Sequence, residues 1–450
     1  MPAEGAAGVH LERRLHAFDT AMVVVSLVIG IGIFRTPALV AGATGGTGSF
    51  LAAWAVGGAA SLVGALVFAE IGSRFPWAGG YYKVVARCFH PLPAFLLNWA
   101  QVLMQGAGAA GVALIGSEYL LRVAGPAAQP RAGALLVAAS LTLGLTVLNA
   151  AGIRAGARAQ NLLSLSKIVL IASLALAGLA LAREPAGSSV TAAGSGSGML
   201  TALVAVFYAY GGYQNTMNLA GDVSEARGQL AKGVCAGMAI VTALYMIVNV
   251  AYIKALGQDG VAGSPLVAAD LARAALGEAG EAFVSLAIFL SAAGFVNATI
   301  LHVPRSYLAM AEDGLLPPAL GRLNPRTQAQ GAGLAFFAAT ALLPLALMRS
   351  FEGLLAYVMF TDALSLAVAA SCLFVLRRRG TGEAGGGAWR MPGYPWLPAA
   401  YVLVLIGVAG NVLVRETWLA IGSIGIVLLG IPLYVVMKRS WGDGARDGLG

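Results

Sequence analysis

Two glycine clusters, Gly30-Ile31-Gly32 and Gly211-Gly212, each lie in the middle of an apolar run. Glycine costs a helix about 1 kcal/mol relative to alanine, and neighbouring glycines in mid-run are a natural point of unwinding. The other use of small residues in such runs is close helix packing. Where a run unwinds, main-chain groups that a continuous helix hides come free. The half-helix that starts after the break presents N–H groups at the positive end of its dipole, which suits a carboxylate. The half-helix that stops before the break presents carbonyls, which suit an ammonium group. One zwitterion uses both, so the pattern points to an amino acid as ligand. Gly30 opens the first break. The Ile31 and Gly32 N–H groups are placed to take the carboxylate, and the carbonyls of Val28, Tyr208 and Gly211 to take the amine.

The elements that position these residues follow from composition. Of 450 residues, 58% are hydrophobic and 11% charged, with 60 glycines and a mean hydropathy of +0.80. A soluble chain carries about 25% charged residues, so this one has too little polar surface for water and belongs in a lipid bilayer. The net charge of +8 comes from cations set singly between apolar runs. No basic face forms, and nucleic acid is excluded as a partner. Cys88, Cys235 and Cys372 show no CxxC spacing, and His10, His16, His90 and His302 are scattered. Neither a disulfide framework nor a metal site is expected, and no cofactor. An ATP-driven pump would need a GxxxxGK[ST] loop, an enzyme a convergent acid, base or metal set, and a channel a charge ring or carbonyl filter. The chain offers none of these.

A spanning helix needs about 20 apolar residues. Such runs are read at 18–43, 48–72, 94–122, 131–149, 159–182, 198–223, 234–256, 280–303, 331–348, 353–376, 397–413 and 417–437, which predicts an all-α integral membrane protein with twelve transmembrane helices. The first run follows Arg13 and Arg14 and carries a cleavage-like Ala41-Gly42-Ala43, but it is too long and too glycine-interrupted for a signal peptide, so it stays in the mature chain. Residues 183–197, 257–279 and 304–330 read as the longer loops, none able to fold as a domain. Cations concentrate in loops of one parity, as at Arg74, Arg87, Arg158, Arg322 and Arg377-Arg378-Arg379. That side is read as cytoplasmic, with both termini on it and the chain in the plasma (inner) membrane. Tails of 1–17 and 438–450 then flank a ten-helix core at 18–376, a cytoplasmic loop at 377–396 and a final helix pair at 397–437. The two glycine clusters fall in spans 1 and 6, matching positions of two five-span halves, as in transporters built from inverted repeats.

Four stretches resemble the amino acid-polyamine-organocation (APC) superfamily, and within it the L-type amino acid transporter branch and its bacterial relatives. They are Val28-Ile29-Gly30-Ile31-Gly32-Ile33-Phe34 with Pro37, Phe207-Tyr208-Ala209-Tyr210-Gly211-Gly212-Tyr213 with Glu225, Ser291 to Asn297 running on through Arg305 to Pro317, and Met391-Pro392-Gly393-Tyr394-Pro395. The resemblance implies a LeuT-type fold of two inverted five-helix repeats plus two extra helices, with helices 1 and 6 broken. It implies a sodium-independent exchanger of neutral L-amino acids by alternating access, in which Tyr208 closes over the substrate as a gate. The departures are Ile31 where the family usually has serine, Arg35 after Phe34, and Glu225-Ala226-Arg227-Gly228-Gln229-Leu230 in place of an Asn-Pro-containing loop. Mammalian members of this branch join a partner through a cysteine between spans 3 and 4. Residues 123–130 hold none, so no disulfide-linked accessory subunit is expected.

Three charges fall inside spans. Lys167, about 11 Å into span 5, is shallow enough to snorkel to the interface. By the resemblance it stands where sodium-coupled relatives bind the ion, so its ammonium replaces the cation as a static bridge or, by losing its proton, makes a proton-coupled symporter. Arg35 and Asp362 are costly in lipid and so are expected to face protein or a wet cavity, lining a vestibule or pairing with each other. Glu70, Glu118 and Asp222 sit near span ends and read as interfacial.

Overall fold

The structure, a computed structural model, describes residues 17–74, 80–124, 131–151, 169–181, 196–214, 229–312, 314–324, 329–348, 351–380 and 389–441. Among them all regular structure is helical. In chain order the helices are α1 (Ala17–Val28), α2 (Thr36–Ala43), α3 (Thr47–Arg74), α4 (Gly80–Cys88), α5 (Pro91–Val123), α6 (Arg131–Ala151), α7 (Val169–Leu181) and α8 (Gly196–Tyr210). There follow α9 (Gln229–Gly263), α10 (Val267–Glu312), α11 (Pro318–Gly321), α12 (Gly331–Met348), α13 (Phe351–Arg378), α14 (Trp396–Arg415) and α15 (Thr417–Trp441). By length and composition, eight of these are able to cross a membrane: α3, α5, α6, α9, α10, α13, α14 and α15. Three shorter apolar helices accompany them, α7, most of α8 and most of α12. The chain is a multi-pass membrane protein.

Position in the bundle follows from burial. The apolar stretch of α5 is 83% enclosed, against 22% for α6 and α15, so α5 runs through the middle and the other two offer side chains to lipid. The start of α5 is set by Pro91, pre-shaped for a first helical turn, and by His90, whose Nδ1 accepts the Leu92 N–H at 3.2 Å. Along α9, small residues floor a contact with α1: a Cβ at Gly233 would stand 2.5 Å from that of Thr20, and one at Gly237 2.7 Å from that of Val24. The two helices therefore approach more closely than larger side chains allow.

The expected loop at 257–279 is largely helical, and the one at 304–330 opens with nine helical residues. Helix α9 runs on to Gly263, and α10 covers Val267–Glu312, with Gly257 (φ 69°) and Gly277 (φ 73°) bending them. Hydropathy records where the apolar stretch ends, but a helix that pairs its own main chain continues past that point.

Glu70 is not interfacial. It is fully enclosed at the end of α3. Arg74 donates to Oε1 through Nε (3.0 Å) and Nη2 (2.8 Å), Arg377 from α13 donates to Oε1 and Oε2 at 2.9 and 2.7 Å, and the Met391 N–H donates to Oε2 at 2.8 Å. The Arg377 guanidinium also lies 4.0 Å from the ring centre of Tyr394. A carboxylate this deep is stable only when every lone pair is taken, and one side chain thus ties α3, α13 and the segment before α14.

Candidate functional site

The first apolar run is interrupted at its glycines. Helix α1 stops at Val28, a 3-10 turn covers Gly32–Phe34, and α2 begins at Thr36, with Pro37 within its first turn. In the sixth run α8 ends at Tyr210, immediately before Gly211-Gly212. The two interruptions sit back to back. A Cβ at Gly32 would lie 2.7 Å from the Ala209 Cα, and one at Gly212 (φ 114°) would lie 2.3 Å from the Leu27 carbonyl oxygen. Glycine is required at both positions by main-chain proximity, and at Gly212 also by conformation.

Breaking a helix frees carbonyls, and the surrounding helices supply donors. Thr36 Oγ1 donates to the Gly32 carbonyl (2.9 Å), Tyr119 from α5 to Phe34 (2.7 Å), and Tyr252 from α9 to Ile33 (3.4 Å). The Tyr245 hydroxyl, also on α9, lies within donor distance of the carbonyls of both Val28 (3.3 Å) and Ala209 (3.2 Å) and faces the Gly30 N–H. It thereby joins the two breaks. Sequence reasoning missed these tyrosines. The available signal was a hydroxyl in the middle of a spanning run, which must find a partner because lipid provides none.

The free groups are of the other kind. Phe34 N–H returns to the Ile31 carbonyl and Arg35 N–H to that of Gly32, both at 3.0 Å, while the N–H groups of Ile31 and Gly32 have no acceptor among the described residues. Buried N–H groups left unpaired are rare and costly, so a pair of them next to a helix end is suited to an anionic group. Of the carbonyls expected to take an amine, Val28 and Tyr208 already accept one bond each, the latter from Gly211 N–H at 3.2 Å, and that of Gly211 has no donor among the described residues. Each carbonyl has two lone pairs, so one remains at the first two. Gly30 borders open space: the nearest atom to a Cβ there would be the Val28 carbonyl oxygen, 3.9 Å away.

Removing the hydroxyl that joins the breaks should loosen them. Tyr245→Phe strands the carbonyls of Val28 and Ala209, at about 1–3 kcal/mol, and thermal unfolding of the purified variant should occur at lower temperature than for the native chain. An unchanged melting curve would show that the hydroxyl carries no structural weight.

Above the breaks sits an aromatic and ionic cap. The Tyr208 ring meets Phe351 edge to face with centres 5.6 Å apart, and the Arg35 guanidinium lies 5.8 Å from the centre of the Phe351 ring. Arg35 pairs with Glu352 at 3.1 Å and Glu118 at 3.7 Å, and donates to the Pro265 carbonyl. Arg35 and Asp362 therefore do not pair. Asp362 lies farther along α13, where Gln101 Nε2 donates to its Oδ1 at 3.1 Å. Glu118, near the end of α5, pairs with Arg35 and keeps its side chain 30% exposed. Lys167 and Asp222 lie outside the described residues. Among the described residues no cluster of three or more His, Cys, Asp or Glu side chains could hold a metal ion.

Comparison with known proteins agrees across nearly the whole chain. A family model described as amino acid permease matches residues 15–431. The serine/threonine exchanger SteT of Bacillus subtilis (strain 168) is 28% identical over 432 residues, 95% of this chain and 98% of that protein. The human large neutral amino acids transporter small subunit 2 is 27% identical over 447 residues, 96% of this chain and 81% of the other. The human cystine/glutamate transporter is 28% identical over 384 residues, 83% of this chain and 75% of the other.

Proposed function

Given that the chain belongs to the amino acid permease family, we propose that it is a sodium-independent carrier that exchanges neutral L-amino acids by alternating access. The observation that carries this reading is the pair of back-to-back helix breaks with two unpaired buried N–H groups, at Ile31 and Gly32, beside the open space at Gly30. There the substrate carboxylate takes the two N–H groups, and its amine takes the remaining lone pairs of the Val28, Tyr208 and Gly211 carbonyls. Tyr208 against Phe351 is the gate, and Arg35 with Glu118 and Glu352 closes the vestibule above it. Lys167 replaces a cation in span 5, which is why sodium is dispensable. Two inverted five-helix repeats at 18–376, the loop at 377–396 and a helix pair at 397–437 form a LeuT-type fold with twelve spans. Both termini, the tails 1–17 and 438–450, lie in the cytoplasm, and the membrane is the plasma (inner) membrane. No disulfide-linked subunit takes part. The names of two relatives, a serine/threonine exchanger and a transporter of large neutral amino acids, support neutral substrates, and the first supports exchange.

Counterflow in proteoliposomes tests this reading. Vesicles preloaded with an unlabelled neutral L-amino acid should accumulate the labelled form equally with or without sodium, saturably, and in preference to the D-enantiomer. Gly30→Val, whose Cβ would come no nearer than 3.9 Å to a neighbour, should cut counterflow by about tenfold or more while leaving the melting temperature near the native value. Indifference of the native chain to a full panel of amino acids refutes the substrate class. Sodium-dependent accumulation refutes the role given to Lys167.

A further inference from the structure

Asp362 is an intramembrane carboxyl group that the site above does not use. It is 8% exposed, on α13, and holds one hydrogen bond, from Gln101 of α5. No lysine, arginine or histidine nitrogen among the described residues forms an ion pair with it. The charged groups of the helices packed on α13 stand at the two ends of the bundle. Glu118 on α5 and Glu352 on α13 itself are held by Arg35 at one end, while Glu70 and Arg74 on α3 are bound with Arg377 at the other, beyond which lie Lys83 and Arg87 of α4. Helix α12 carries no titratable residue, and α15 adds Tyr434 along its packed length. Among the described residues Tyr213 is close enough to Asp362 to feel its charge, with its hydroxyl 2.7 Å from that of Tyr401 on α14. On α13 itself Tyr357 and Cys372 lie five and ten positions away.

With no counter-charge among the described residues, an anion at this depth is expensive, so the group is favoured when neutral or when it meets a cation. The tyrosine pair is packed tightly against α3, where a Cβ at Gly64 would stand 2.6 Å from Tyr401 and 2.8 Å from Tyr213. Of external cations a proton needs the least room. Tyr213 follows Gly211-Gly212 directly, so a rearrangement of that break would displace a hydroxyl that feels the Asp362 charge.

Resting on the carrier reading above, we infer that Asp362 is a proton-binding site, and that the carrier converts between its two faces only while this carboxyl is protonated. The proton is taken from water and returned to it, on the carboxyl oxygen that Gln101 does not hold. Moving Tyr213 past an anion would leave a charge in a changing, water-poor setting, whereas the neutral acid crosses without that cost.

Counterflow with the same pH on both sides of the vesicle membrane is the test. In the native chain the rate should hold steady at acid pH and fall about tenfold per unit once above the titration midpoint, because only the protonated fraction moves. Asp362→Asn, which imitates the neutral acid, should transport at the acid-limb rate at every pH. Gln101→Leu removes the donor that favours the charged form, so its fall should begin at higher pH. A flat native profile with counterflow present overturns this inference alone, and absent counterflow at every pH overturns the carrier reading with it. A folded Asp362→Asn that is inactive, or that keeps the alkaline fall, also overturns it. If that variant fails to fold, the native profile and the direction of the Gln101→Leu shift decide.

Discussion

Gly212→Ala is expected to abolish counterflow and to lower the melting temperature. Its φ of 114° lies where L side chains rarely go, and the added Cβ would press to 2.3 Å from the Leu27 carbonyl oxygen and 2.9 Å from its carbon. Both obstructing atoms are main chain, so no side-chain rotation relieves them. The conformational strain costs about 1–3 kcal/mol, and overpacking adds a further 1–3 kcal/mol or so. More important than the sum is where it falls, since the only relief is to drive the end of α1 away from Gly212 and so separate the two breaks. Gly211→Ala meets only the Tyr208 carbonyl oxygen at 3.2 Å and should be milder, while Gly108→Ala, in the open, is the neutral control. Counterflow and thermal unfolding of the three variants check the order. Native transport rates in Gly212→Ala would disprove the close approach of the two breaks.

The second large effect is structural and lies at the opposite end of the bundle. Glu70→Gln keeps shape and volume but removes the buried carboxylate charge to which both Arg74 and Arg377 donate. Removing one partner from a buried ionic group costs roughly 3–5 kcal/mol, far more than the group contributes when intact. The expected readout is a lower unfolding temperature and faster proteolysis near Arg377. Replacing Arg377 by methionine in the same chain should restore part of the loss, because the excess positive charge goes with it. If Glu70→Gln melts like the native chain, water must reach that cluster and the enclosure described above is wrong.

What could be read in advance and what could not divide along physical lines. The break after Val28 and the stop at Tyr210 were legible because glycine's cost to a helix is local, and two glycine clusters in mid-run need no knowledge of neighbours. The membrane character was legible for the same reason, since apolar length is a property of each segment. The partners of Arg35 were not. Glu352 is 317 positions away in sequence and Glu118 sits on another helix, so the choice between them and Asp362 depended on packing. Glu70 was misread because proximity to a span end ordinarily means water, and only the arrival of Arg377 and the Met391 N–H encloses it. The donors to the broken helices escaped notice for a subtler reason. Tyr119, Tyr245 and Tyr252 look like ordinary bulky residues of apolar runs, and their roles emerge only when the carbonyls that need them have been freed.

The tight seam at Gly233 and Gly237 has a mechanical meaning. It clamps the first half of the interrupted run to α9, a rod of 35 residues. From Gly233 to the bend at Gly257 that rod measures about 36 Å at the usual helical rise, so a tilt of only about 5° at the clamp sweeps its far tip through about 3 Å. A lever of this length would turn a small displacement at the break into one of several ångströms at the remote end of α9.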